Sequence, residues 1–307
     1  MTDFTKTLIR CSSIGLIMAA PQGNRKSPMQ KYEDAVLKLE QERTKYYDMK
    51  NKQTVTAIKK QETITQLEWH IEELEKHKDD EILSEGCKTY LKEVYAWQKY
   101  GKKPYFQARG NKFTEKGILA EDQSLDILSK LDGYLYVKND LRLSNEYITG
   151  EIDTFQGESI INAEKIIDVK SSWDIKTFFA NLGEELDTRY WWQMQGYLAL
   201  TGCEVGEINY ILPSMPETLF NGERDRLLRS MEVVTEEDEA FKFKLQDLIR
   251  SCYFEDMPLQ DRRIKFVVER DDESIAKIYK KVEKCREYLE EIENMHLGVT
   301  KAENIII

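Results

Sequence analysis

Residues 166–170 read Ile-Ile-Asp-Val-Lys, an apolar run carrying an acid and a lysine two positions apart. Taken as a strand over residues 165–170, it sends Asp168 and Lys170 to one face and Val169 to the other, because successive side chains of a strand alternate. The rest of the chain must then supply the core on which such a strand packs. Alone, Asp-x-Lys in a chain with 33% charged residues also reads as an ion pair at a strand edge.

Helical and strand-like patterns alternate around this element. Residues 114–131 and 188–201 have helical spacing, 147–155 and 207–212 read as strands, and helices at 223–230 and 236–253, a strand at 264–269 and a helix at 272–293 complete the series. The order predicts an α/β or α+β fold, with a central mixed sheet flanked by helices. At 307 residues and 41% hydrophobic composition, the chain is long enough for one large core with a helical piece appended.

That piece is legible at residues 30–79. The stretch is polar and charged, with Val36, Leu39 and Tyr46, then Ile64, Leu67, Ile71 and Leu74, at helical spacing, and it loses register at 51–54. Two antiparallel helices, a coiled-coil-like hairpin, fit this pattern and contribute shape rather than chemistry. Residues 10–18 read as a helix start, with Ser12 or Ser13 accepting hydrogen bonds from the first-turn amides, and 21–28 break the helix. The organisation is therefore a 1–29 segment of the core, a 30–80 helical insertion and an 81–307 core. Within the last, a helix at 81–100 leads into 101–112, a basic stretch interleaved with Tyr105 and Phe106 that suits phosphate contact and base stacking, or is an ordinary loop.

A net charge of −11 excludes a basic protein that simply coats nucleic acid. It does not exclude a metal nuclease, which needs carboxylates and only a local basic groove. Cys11, Cys87, Cys203, Cys252 and Cys285 form no metal-ligand spacing and read as reduced thiols of a cytoplasmic protein. No secretory cleavage pattern and no run of ~20 apolar residues is present, so no membrane partner is expected. The absence of GxxxxGK[ST] argues against a bound nucleotide.

Three segments could converge on one site: Lys116-Gly-Ile-Leu-Ala-Glu121, in which Gly117 would permit close approach of a helix; Gly150-Glu-Ile-Asp153; and Asp168-Val-Lys170. Phosphodiester hydrolysis needs hard oxygen ligands for Mg²⁺, an activated water, and positive charge where the transition state grows negative. Carboxylates supply the first. A lysine beside them acts as a base if its pKa is lowered, or as a cation.

The order Gly-x-x-x-Glu, Gly-x-x-Asp, Asp-x-Lys, then a helix with Trp192-Gln-Met-Gln-Gly-Tyr-Leu, resembles the PD-(D/E)xK nucleases, and most closely the YqaJ-like viral recombinases and lambda exonuclease. The resemblance implies a restriction-endonuclease-like core and a Mg²⁺-dependent exonuclease, with Mn²⁺ as substitute, acting 5′ to 3′ on double-stranded DNA ends in phage-type recombination. It implies metal binding by Glu121, Asp153, Asp168 and the carbonyl of Val169, with Lys170 as the catalytic lysine and Gln193 and Gln195 in the fourth motif, Gln195 being the glutamine that approaches the metal water. Tyr197 belongs to the same motif, and Arg10, Ser12 and Ser13 resemble the element that holds a terminal 5′ phosphate. A single-strand annealing protein as partner and a homo-oligomer are implied as well. The iron-sulfur cluster of a related subgroup is not expected, since dispersed cysteines cannot ligate it. Two alternatives stay open: a structure-specific or defence endonuclease of the same fold, and an inactive DNA-binding assembly protein.

Overall fold

The computed structural model describes residues 2–20, 28–47, 54–77, 82–104, 112–233 and 235–298. In chain order its elements are β1 (Ile9–Arg10), α1 (Cys11–Met18), α2 (Pro28–Tyr47), α3 (Val55–His77), α4 (Glu85–Tyr100), α5 (Lys112–Leu119), α6 (Glu121–Asp132), β2 (Arg142–Ser144), β3 (Ile148–Glu151), β4 (Thr154–Gln156), β5 (Lys165–Ser171), α7 (Ile175–Phe179), α8 (Thr188–Thr201), β6 (Val205–Ile211), α9 (Glu217–Ser230), α10 (Glu239–Cys252), β7 (Arg263–Glu269) and α11 (Asp272–His296). No described helix is long and apolar enough to cross a membrane.

The chain divides into two compact units, Met1–Met18 with Lys92–Ile307, and Ala19–Leu91. In the smaller unit α2 and α3 pack together, burying Ala35, Leu39, Ala57 and Ile64, while Val36, Tyr46, Leu67, Ile71 and Leu74 are half-buried. Ion pairs from Glu42 to Lys60 (2.5 Å) and from Arg43 to Glu68 (2.6 Å) link the two helices. Residues 51–53, within the expected break of register, lie outside the described residues.

The larger unit holds all the strands. A three-stranded sheet has the order β1-β3-β2, with β1 parallel to β3, and a four-stranded sheet has the order β4-β5-β6-β7, with only β5 and β6 parallel. The strand expected at 147–155 is thus two: Ile152 and Asp153 carry the chain from one sheet to the other. Helix α6 covers one face of the four-stranded sheet, where Leu125, Leu128 and Tyr136 pack on Ile167 and Val169. Helix α8 packs against strands of both sheets. The helix expected at 114–131 breaks at Ala120 (φ −100°, ψ 4°), so Glu121 opens α6 instead of following one turn behind Gly117.

Helix α8 is held in place by glycines. A Cβ on Gly15 of α1 would lie 2.5 Å from the Arg189 Cα, one on Gly196 would lie 2.3 Å from Ile14 Cδ1, and one on Gly206 would lie 2.3 Å from Met194 Sδ. Gly150 lets β3 approach the Tyr197 ring equally closely. Gly117, expected to allow a close helix approach, faces open space.

Gly15→Ala presses a methyl group against backbone that cannot swing aside, and it should destabilise the protein by about 1–3 kcal/mol. Gly117→Ala should melt at or above the wild-type temperature, since alanine favours a helix. Thermal melts of the two variants check both.

Candidate active site

The site is built on the end of β5. Ile167 and Val169 face the core under α6, so Asp168 and Lys170 face the other way, and the Lys170 Nζ lies 2.7 Å from Asp168 Oδ2. The β4–β5 ladder ends at the pair Thr154–Ile167, so one residue further along the same register Asp153 arrives beside Asp168. There the Asp153 carboxylate replaces the missing ladder partner: its Oδ2 accepts a hydrogen bond from the Val169 amide at 2.7 Å. Glu121, Asp153, Val169 and Lys170 line a common cleft of 620 Å³ with Gly117, Trp173 and Tyr190.

The surroundings of Asp153 shift its titration. Burial first, and then the charge of Asp168, push the Asp153 carboxyl up to about 7. For Lys170 burial works against the charge, but the pull of Asp168 and Asp153 outweighs it and its pKa rises. The lysine also sits 4.7 Å from the centre of the Tyr190 ring. It is therefore a held cation in this arrangement rather than a free base.

Gln193 of α8 donates from Nε2 to Asp168 Oδ1 at 3.0 Å and to the Tyr197 hydroxyl at 2.9 Å. Gln195 does not join it. Two residues along a helix turn through about 200°, so Gln195 points away, donating to the Glu269 carbonyl (2.7 Å) and accepting from the Asp271 amide (2.9 Å). Both ends of its amide are used in tying α8 to the β7–α11 junction, which corrects the expectation that it approaches the metal water. Tyr197 is also corrected: it is buried, its hydroxyl supports Gln193, and it does not line the cleft.

Arg10 is exposed on β1, in register with Thr149. Helix α1 begins at Cys11, so Ser12 (exposed) and Ser13 (half-buried) lie inside its first turn rather than before it, as capping would require. Tyr105 and Phe106 lie outside the described residues.

Three residues escaped the sequence reading. Lys138 pairs with Glu121 at 2.7 Å, and Trp173 and Tyr190 form cleft wall. Only Tyr190 left a signal, one helical turn before Gln193. Lys138 reaches Glu121 across a turn that no periodicity announces.

Among the described residues no three His, Cys, Asp or Glu side chains converge tightly enough to hold a metal by themselves. A divalent ion nonetheless fits part of the donor set. Asp168 Oδ2 meets the Lys170 ammonium at 2.7 Å and no further donor, the neighbouring carboxylates are hard oxygen donors, and an ion such as Mg²⁺ keeps several waters and needs few protein ligands.

The fold, mixed sheets flanked by helices, is of the restriction-endonuclease-like kind. Among solved structures, the chain resembles a phage-related exonuclease from Haemophilus somnus 129PT, with a TM-score of 0.57 and 22% identity over 95% of this chain and 97% of that one. An alkaline exonuclease from Laribacter hongkongensis aligns with a TM-score of 0.47 and 16% identity, over 71% of this chain and 87% of that one. No family model and no curated protein matches the sequence.

The acid pair makes the metal-free protein sensitive to pH. An unfolded chain ionises Asp153 near its ordinary 3.8, whereas the folded protein holds that proton to about 7. The folded state binds more protons in that window, so stability falls as pH rises from about 4 to 7. Asp153→Asn should remove most of this slope. Urea midpoints at pH 5 and pH 8 in chelator measure it, and a wild-type midpoint that rises between them would contradict the assignment.

Proposed function

We propose that this chain is a metal-dependent deoxyribonuclease that digests DNA from its ends. The observation that carries the reading is the pair Asp153 and Asp168 beside Lys170, at the end of parallel strands on a fold shared with an exonuclease. Asp153, Asp168 and the Val169 carbonyl would hold Mg²⁺ or Mn²⁺, joined by Glu121 when it leaves Lys138. Such an ion supplies Lewis acidity and an acidified water. Lys170, kept charged by its neighbours, stabilises negative charge developing on the phosphate. Gln193 orients Asp168, and Trp173 and Tyr190 offer flat faces to bases.

Polarity from 5′ to 3′, preference for duplex ends, a terminal-phosphate contact from Arg10 with Ser12 or Ser13, and a role in phage-type recombination with an annealing protein follow from the resemblance. So do a cytoplasmic location and a homo-oligomer. The 30–80 arm is read as an insertion without catalytic groups, since every candidate residue belongs to the other unit.

The direct test incubates purified protein and Mg²⁺ with end-labelled linear, nicked and closed circular DNA. Loss of linear DNA with the circle intact supports an exonuclease, whereas cutting of the circle favours the endonuclease alternative. Ca²⁺ should bind the same oxygens and support little cleavage, because its coordination is looser. Activity with Zn²⁺ alone would count against this site.

The two residues of the motif should fail differently. Lys170→Ala should lose cleavage by roughly 10²–10⁴-fold while still binding DNA ends in Ca²⁺. Asp168→Asn should lose cleavage with weakened metal affinity that added Mn²⁺ rescues in part. A Lys170→Ala protein that digests DNA at the wild-type rate would sink the proposal.

A further inference from the structure

The ladder between β5 and β6 ends at the pair Ser171–Ile211. One more bond, from the Ser172 amide to the Ile211 carbonyl at 2.8 Å, closes it. Beyond that point the pairing stops: Ser172 and Trp173 form cleft wall, whereas the Leu212 amide turns to the Arg262 carbonyl at 3.0 Å. Carbonyls at such a fork lose their sheet partners and must find others. Lys116 of α5 reaches into the fork: its Nζ donates to the carbonyls of Ser172 (3.0 Å), Trp173 (2.8 Å) and Pro213 (3.1 Å). The side chain is 1% exposed.

We propose that Lys116 is a positioning residue of the candidate active site, a buried ammonium that clamps the backbone just past Lys170 and works only while charged. The argument is one of counting. An ammonium has three N–H donors and no acceptor, and three carbonyls surround it. A neutral amine has two N–H groups, so deprotonation releases one carbonyl at the cleft wall. The released segment begins two residues after Lys170 and carries Trp173, whose ring lies 5.9 Å from the same Nζ. Ser171, at the start of the wall, is tied separately to α6 through Ser124 (2.8 Å between hydroxyls). The clamp therefore governs Ser172 and Trp173 more than the strand itself.

The titration falls within reach of ordinary buffers. Burial pulls the Lys116 pKa down to about 8, Cys252 of α10 and Asp174 before α7 oppose the shift, and Arg262 before β7 adds to it. An unfolded lysine keeps its proton to about 10. Between those values the unfolded chain binds more protons, so this titration makes the fold more stable as pH rises. Loss of the clamp should thus cost activity without costing stability. A merely structural lysine would move the two together.

The effect on catalysis rests on the nuclease reading, whereas the clamp itself does not, and the experiment separates them. In ¹H–¹⁵N spectra of the metal-free full chain, the Ser172 and Trp173 amides should shift with a midpoint near pH 8, set by the lysine. That titration should vanish in Lys116→Met, and should also vanish in Lys116→Arg, which keeps a charge, if the methionine variant fails to fold. Amides that stay still from about pH 6.5 to 9.5 overturn the proposal.

With end-labelled linear duplex and Mn²⁺, wild-type kcat should fall roughly fivefold from about pH 7 to 9.5, with KM within about twofold and no drop in melting temperature. Lys116→Met should lower kcat roughly tenfold at about pH 7 and flatten the alkaline limb. A kcat equal to wild type in that variant, or activity and melting temperature falling in parallel, overturns the proposal. Titrating amides in a protein that cleaves no DNA would instead remove the nuclease reading and leave the clamp standing.

Discussion

Two carboxylates held side by side in a buried place repel each other, and the architecture around Asp153 and Asp168 answers that repulsion. Lys170 stands against Asp168 on the same strand face, the Val169 amide binds Asp153, and Gln193 donates to the remaining Asp168 oxygen. Each of these donors neutralises part of the charge, yet Asp153 still holds its proton to about 7. The second negative charge is thus avoided below that pH, and a cation held by the same hard oxygens would take the place of the proton. The acids themselves sit where they do because β4 stops one residue short, which converts a ladder position into a ligand position.

Support for that geometry comes from a second layer with no charge at all. Helix α8 carries Gln193 and Tyr197 and is pressed between α1 and the strands through Gly15, Gly196, Gly150 and Gly206. A side chain at Gly15 would meet the Arg189 backbone and push the helix outward, drawing Gln193 from Asp168. Gln195, on the opposite side of the helix, fixes rotation about its axis by holding both the Glu269 carbonyl and the Asp271 amide. Position and rotation of α8 are thus set by different contacts.

Much of this was legible in the order of residues. Alternation in a strand was enough to put Asp168 and Lys170 on one face, and helical spacing was enough to find α2, α3, α8 and α11, because those signals are local. What stayed hidden depends on contacts between distant segments. One expected strand became β3 and β4 because Asp153 crosses between sheets, which no pattern within residues 147–155 records. Gln193 and Gln195 look alike in sequence, and only the 200° between them decides which reaches the acids. Lys116 opens the Lys-Gly-Ile-Leu-Ala-Glu segment, but a buried lysine and a solvated one share the same letter, and only the fork of β5 and β6 distinguishes them.

The tight seam between α1 and α8 also bears on how the chain matures. Residues 11–18 leave the ribosome long before residues 188–201, yet they pack on them, so this contact is non-local and forms late. Until it forms, the apolar side of α1, with Ile14 and Ile17, has no partner from α8, and Gln193 has nothing to hold it against Asp168. The Gln193 bond to Asp168 can form only after the stretch that ends at Thr201 has been made and has closed over α1.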